Sequence, residues 1–184
     1  MIRAVLLSLL VAACGGSTTD GPRPIGPGSS PVAPTVAPAD SQPFDVAAAT
    51  KVNLDKINAF RAQENLPPLA LDQALTAAAN EGTREFAAGG GPHGHFREHR
   101  REIKDSVHAT VVNENQGKRG GHPAQPVPID EFVAQQIETL ITNMFDEGPG
   151  GGHHDSIVNP RYRRIGIGIA VIGQFVYLTN DFAD

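Results

Sequence analysis

Apolar positions change their period several times along the chain, and each change marks an element. Val52, Leu54, Ile57 and Phe60 recur at mostly helical spacing, and Leu66-Pro67-Pro68-Leu69 is expected to stop that helix, since a residue before proline avoids helical angles. Asp72 is placed to cap a second helix whose face carries Leu75, Ala78, Ala79, Gly82 and Phe86, with Gly89-Gly90-Gly91 ending it. That face is thin, which predicts close packing. A short polar helix is expected over Phe96–Asp105, a strand within His108–Asn113 from the β-branched Thr110, Val111 and Val112, and a loop over Gly117–Pro128. Asp130 is expected to cap the most amphipathic helix, with Phe132, Val133, Ile137, Leu140, Ile141 and Met144 forming one stripe that ends at the glycines between Gly148 and Gly152. Ile165, Ile167, Ile169 and Val171 then alternate with small residues, and Gln174–Phe182 supplies a second run after a turn near Gly173, which predicts a hairpin. Four helical segments, with strands gathered mainly near the end, predict an α+β fold rather than a doubly wound parallel sheet.

The N-terminal region has a different character. Arg3 precedes an apolar run from Ala4 to Ala13 broken only by Ser8, so residues 1–14 read as a signal peptide, too short to span a bilayer. Val11-Ala12-Ala13-Cys14 resembles the bacterial lipoprotein lipobox, and this resemblance implies a lipidated Cys14 that anchors the chain to a membrane on the extracytoplasmic side of the bacterial cell envelope. Residues 15–44 contain seven prolines among Gly, Ser and Thr, a composition that cannot offset its ordering entropy and reads as a disordered tether. Residues 45–184 remain as one folded domain.

Composition narrows the function classes. The chain of 184 residues has 20 acidic and 15 basic side chains, a net charge of −5 and no long Lys/Arg run, which argues against a nucleic-acid partner. Its single cysteine excludes an intrachain disulfide and a thiolate metal cluster. No Gly-x-Ser-x-Gly or His-Glu-x-x-His pattern is present, so chemistry must come from carboxylates and the seven histidines, of which His93 and His95, and His153 and His154, lie close in sequence.

Several stretches together resemble the CAP superfamily of cysteine-rich secretory, antigen 5 and pathogenesis-related proteins, in its short bacterial branch. They are Asn58-x-x-Arg61 with Leu66-Pro67-Pro68-Leu69-Ala70-Leu71-Asp72-x-x-Leu75, Pro92-His93-Gly94-His95-Phe96, Glu114-Asn115, Met144-Phe145-Asp146-Glu147, and Gly152-His153 through Asn159-Pro160-x-Tyr162 to Arg164-Ile165-Gly166-Ile167-Gly168. The resemblance implies a disulfide-free α-β-α sandwich with an open central cleft holding two His and two Glu, carried over to His93, Glu114, Glu147 and His153, with His95 the alternate for His93. Such a cleft is able to bind zinc or another divalent cation. The favoured function is a non-enzymatic extracytoplasmic lipoprotein binding a small ligand, a lipid among the candidates. The alternatives are a metal-assisted hydrolase of peptide or cell-wall substrates, and a structural or host-interaction module with an idle cleft.

Overall fold

The computed structural model describes residues 42–121 and 126–184. The expected signal peptide, Cys14 and nearly all of the expected tether lie outside the described residues. Packing begins ahead of the sequence-predicted boundary at residue 45: the Gln42 amide donates to the Val171 carbonyl, and Phe44 packs against the core.

Helix α1, Val46–Gln63, starts at Asp45, whose side chain accepts from the Ala48 amide. It ends earlier than the prolines require. Asn65, at φ 57°, lets the Leu66 and Asn65 amides fold back onto the Arg61 and Ala62 carbonyls, a Schellman closure that terminates the helix before Pro67 is reached. Strand β1 is Ala70–Leu71, and α2, Gln73–Ala87, is capped by Asp72 through the Ala74 and Leu75 amides, as the sequence predicts. Helix α3 covers Gly94–Ser106.

Strand β2 runs from Val112 to Gly120, and here the structure corrects two expectations. Of the β-branched residues only Val112 lies in the strand, His108–Val111 preceding it, and Gly117–Gly120, expected to be loop, belongs to it. The polar run Asn113-Glu114-Asn115-Gln116 is extended because its backbone pairs with the C-terminal strand along its whole length, while its buried polar side chains find hydrogen-bond partners. Helix α4, Ile129–Phe145, buries the predicted stripe, but Pro128 is the residue before its first turn and Asp130 lies inside it, where its carboxylate accepts the Asp45 amide instead of capping its own helix. After the glycine loop comes a fifth helix, α5, Gly152–Ile157, where the sequence was expected only to end the preceding helix. Strands β3, Arg164–Ile172, and β4, Phe175–Ala183, form the predicted hairpin about Gly173.

The sheet order is β1-β3-β4-β2, with β1 parallel to β3 and the other pairs antiparallel. Alternation along β3 sends Ile165, Ile167 and Val171 to one face, where they join Ile57, Phe60, Ile137, Ile141 and Phe182 in the main core under α1 and α4. Gly166 and Gly168 point to the other face, against which α2 lies directly. The result is an α-β-α sandwich with α1, α4 and α5 on one side and α2 with α3 on the other. No helix among the described residues is long and apolar enough to cross a membrane.

Candidate functional site

The edge strand β2 organises the site, because successive side chains leave it on opposite faces. Glu114 points to the α2 face and is nearly inaccessible, with its side chain 2% exposed, and its Oε1 lies 2.8 Å from His93 Nδ1. Asn113 and Asn115 point the other way and hold α5: the Asn113 amide donates to Ser156 Oγ and the Asn115 amide to the His153 carbonyl.

His93 stands just before α3 in the left-handed region, at φ 61°, a conformation costing a non-glycine residue about 1 kcal/mol or more. Gln116 holds it there. Its Oε1 accepts the His93 amide at 2.7 Å, while its Nε2 donates to Thr179 Oγ1 and the Gly82 carbonyl, tying the strained residue to β4 and α2. Gln116 is a site residue that sequence reasoning missed; the available signal was its two-residue spacing from Glu114, which places both on one strand face.

The second pair is local in sequence. Gly148 and Gly150 adopt positive φ, and a Cβ on Gly151 would come within 2.5 Å of the Glu147 Cβ, so the glycine loop lets the chain double back on Glu147. Glu147 Oε1 then lies 2.5 Å from His153 Nδ1, and Oε2 accepts the His153 amide at 3.0 Å. The His93 and His153 rings face one another across the cleft with centroids 6.3 Å apart. The four residues predicted from sequence thus line one cleft of about 480 Å³, together with Phe96, Arg97, Asn113, Asn115 and Gly152.

The neighbouring histidines lie elsewhere. His95 turns toward Glu85 on α2 at 2.9 Å and stacks near His99, outside the cleft lining, so His93 takes the position for which both were candidates. His154 is buried against Phe145.

The two carboxylates differ electrostatically. Burial raises the Glu114 pKa above its ordinary value, more than the His93 hydrogen bond lowers it. At Glu147 burial also acts upward but is outweighed by hydrogen bonds from the His153 side chain and amide, so its pKa is lowered. Across the β2–β4 pair Glu114 faces Asp181, buried with Oδ1 unpartnered among the described residues, and burial first, then the Glu114 charge, holds the Asp181 carboxyl well above the usual range. A folded-state pKa above the unfolded value of 3.8 means that Asp181 costs nothing in acid and destabilises increasingly as pH rises past that value. Asp181→Asn is therefore expected to raise the melting temperature at neutral pH, with the gain shrinking toward zero in acid; thermal melts of both proteins across that range check the sign.

The donor set bears on metal binding. With Nδ1 of each ring donating to a carboxylate, the remaining Nε2 carries the lone pair, the outer-sphere arrangement found behind metal-bound histidines. The ring separation is near the widest that one ion bound at about 2 Å from each nitrogen can bridge. Among the described residues no group of three or more His, Cys, Asp or Glu side chains stands ready to hold an ion, because both carboxylates are turned to the imidazoles. An ion held here would take the two imidazoles as its protein ligands and its remaining ligands from water or a bound molecule.

The family model of CAP, the cysteine-rich secretory protein family, matches residues 54–182, a span that includes all four cleft residues. The chain belongs to the CAP family. Among solved structures, this CAP domain is similar to an outer surface protein from Borrelia burgdorferi, at 15% identity and a TM-score of 0.57, covering 78% of this chain and 98% of that one. It is also similar to NaASP2, crystallised with Zn2+, at 10% identity and a TM-score of 0.51, covering 73% and 78%. Na-ASP-1 is 11% identical with a TM-score of 0.52, and the match covers 80% of this chain but only 41% of that one. At such identities the likeness is one of fold. No curated protein matches the sequence.

Proposed function

We propose that this CAP domain is an extracytoplasmic binding protein that takes a small polar ligand in the cleft between its two His–Glu pairs, with His93 and His153 able to hold a divalent cation such as zinc as part of that ligand set. The carrying observation is the opposition of the two pairs across one cleft. Its lining sets His, Glu, Asn and Arg side chains beside Phe96, and these supply the hydrogen bonds a small polar ligand would use. When bound, a divalent cation supplies Lewis acidity and a water of lowered pKa. The chain's own residues orient it: Glu114 and Glu147 fix the imidazole tautomers, and Gln116 fixes the His93 backbone.

The secretory character of the family and the outer-surface location of the Borrelia relative support a place outside the cytoplasm, and the Cys14 lipobox supports a lipid anchor.

Zinc titration by calorimetry tests the site. Saturable one-to-one binding is expected, weakened at least tenfold in His153→Ala and in His93→Ala; the melting temperature is expected to stay near that of the parent in His153→Ala, whose ring is partly exposed, and to fall in His93→Ala, which leaves the buried Glu114 without its imidazole partner. Affinity indifferent to both substitutions rejects the imidazole pair as the cation site. Peptide turnover abolished by chelation and by His153→Ala would move the reading to a hydrolase.

A further inference from the structure

Helix α3 carries charge that the cleft does not use. Arg97, Arg100, Arg101 and Lys104, spaced by three, one and three, fall on one helix face; Glu98, Glu102 and Asp105 fall on the adjacent face, and the buried Phe96 and Ile103 on a third. Segregation of this kind leaves the cations with little intrahelical pairing. Arg101 reaches Asp105 only at 3.8 Å with both side chains mostly exposed, Arg100 donates to the Val112 carbonyl at 3.4 Å, and Arg97 and Lys104 form no ion pair among the described residues. The nearby Asp184 carboxylate is already engaged by the Thr110 and Val111 amides.

The four cations line a second cavity, of about 460 Å³, closed on its far side by Thr110, Val111 and Val112, with Glu98 the one acid in its wall. In a chain of net charge −5 this is a concentrated positive field in a concave site, which attracts anions. Its length, from Arg97 to Lys104, is about 10 Å of helix, enough for one or two charged groups and too short to track a polymer backbone. Planar guanidinium groups pair in two-point fashion with phosphate oxygens, and lysine adds a point charge.

We propose that this cavity binds a small phosphate-bearing anion, with Arg97, Arg100, Arg101 and Lys104 as its ligands, at a site separate from the His–Glu cleft. The two cavities share Arg97 as a lining residue.

The experiment uses inorganic tripolyphosphate as the soluble probe, and phosphatidylcholine vesicles with and without phosphatidylglycerol as the headgroup probe, at low and moderate salt. Saturable tripolyphosphate binding is expected, falling steeply with salt and weakened at least tenfold in the double variant Arg101→Glu, Lys104→Glu, whose positions are accessible enough to leave the fold intact by circular dichroism. The variant Lys51→Glu, Arg119→Glu makes the same change in net charge on α1 and at the far end of β2, and is expected to bind as the parent does. Binding to phosphatidylglycerol vesicles that is lost in the α3 variant assigns the phosphate to a lipid headgroup; tripolyphosphate binding without vesicle binding assigns it to a soluble molecule. Absence of binding to either probe at low salt, or equal affinity in the α3 variant and the parent, overturns the proposal.

Discussion

Replacing Arg61 by alanine is expected to destabilise the domain by about 4 kcal/mol, much of the margin of a typical domain. Arg61 is fully buried on α1, and its guanidinium donates to four carbonyls: Nε to Pro67, Nη1 to Ile157 and Asn159, and Nη2 to Tyr162. These bonds join α1 to the turn before β1, to the end of α5 and to the segment entering β3. Burial, with a smaller contribution from Arg163, lowers its pKa, the mark of a cation kept from water. Truncation leaves a cavity and orphans buried carbonyls, each charge-assisted bond being worth about 1.5–3 kcal/mol. Arg61→Lys is expected to recover only part of the loss, since an ammonium group does not reproduce the planar fork. Urea unfolding of the three proteins reads this as a shift of midpoint at nearly constant slope. A cost below about 1 kcal/mol for Arg61→Ala would show that the segments are held by packing rather than by the guanidinium. Because α5 carries His153, hydrogen exchange at residues 153–157 is expected to quicken in Arg61→Ala, and zinc affinity to fall with it.

Gly168→Ala is expected to cost about 3 kcal/mol, and Gly166→Ala at least as much, although each adds a single methyl group. A Cβ at Gly168 would lie within 2.5 Å of Thr83 Oγ1 and the Ala79 carbonyl carbon, and one at Gly166 would penetrate the Leu75–Thr76 peptide. The obstacle is helix backbone, which has no rotamer to change, so α2 must lift from the sheet. Lifting α2 also draws the Gly82 carbonyl from Gln116, the residue that holds His93 in its strained conformation. Gly91→Ala is the control: nothing lies within 4 Å of its Cβ, and its φ is not positive, so a change within about 0.5 kcal/mol is expected. If Gly91→Ala and Gly168→Ala prove equally costly, close approach of α2 is not what the glycines of β3 provide.

Much of the frame was legible because its signals are local. The six residues of the apolar stripe predicted for α4 are all buried, Asp72 caps α2, and the alternation from Ile165 to Val171 makes the hairpin strand. The thin α2 face matched the bare glycines of β3 for the reason the sequence suggested: small residues on both surfaces let backbones approach. Strand β2 was misread because most of its side chains are polar, and polar residues become a strand only when a partner supplies the ladder and buried neighbours accept their amides. Helix α5 was missed for a related reason. Six residues beginning Gly-His-His carry little helical signal, and α5 is held from outside by Arg61, Asn113 and Asn115.

At the site, sequence by itself nominated His93, Glu114, Glu147 and His153 through residue type and motif position, and the single cysteine excluded an intrachain disulfide. Tertiary structure decided which histidine pairs with which carboxylate, that His93 rather than His95 lines the cleft, and that Gln116 and Arg61 support it. It also gathered the cations of α3 into a cavity closed by Thr110, Val111 and Val112. The physical reason is range. Periodicity, caps and glycine turns act within a few residues and are written in the chain, whereas a pairing such as Glu114 with Asp181, or Arg61 with Tyr162, exists only after the sheet has set its register.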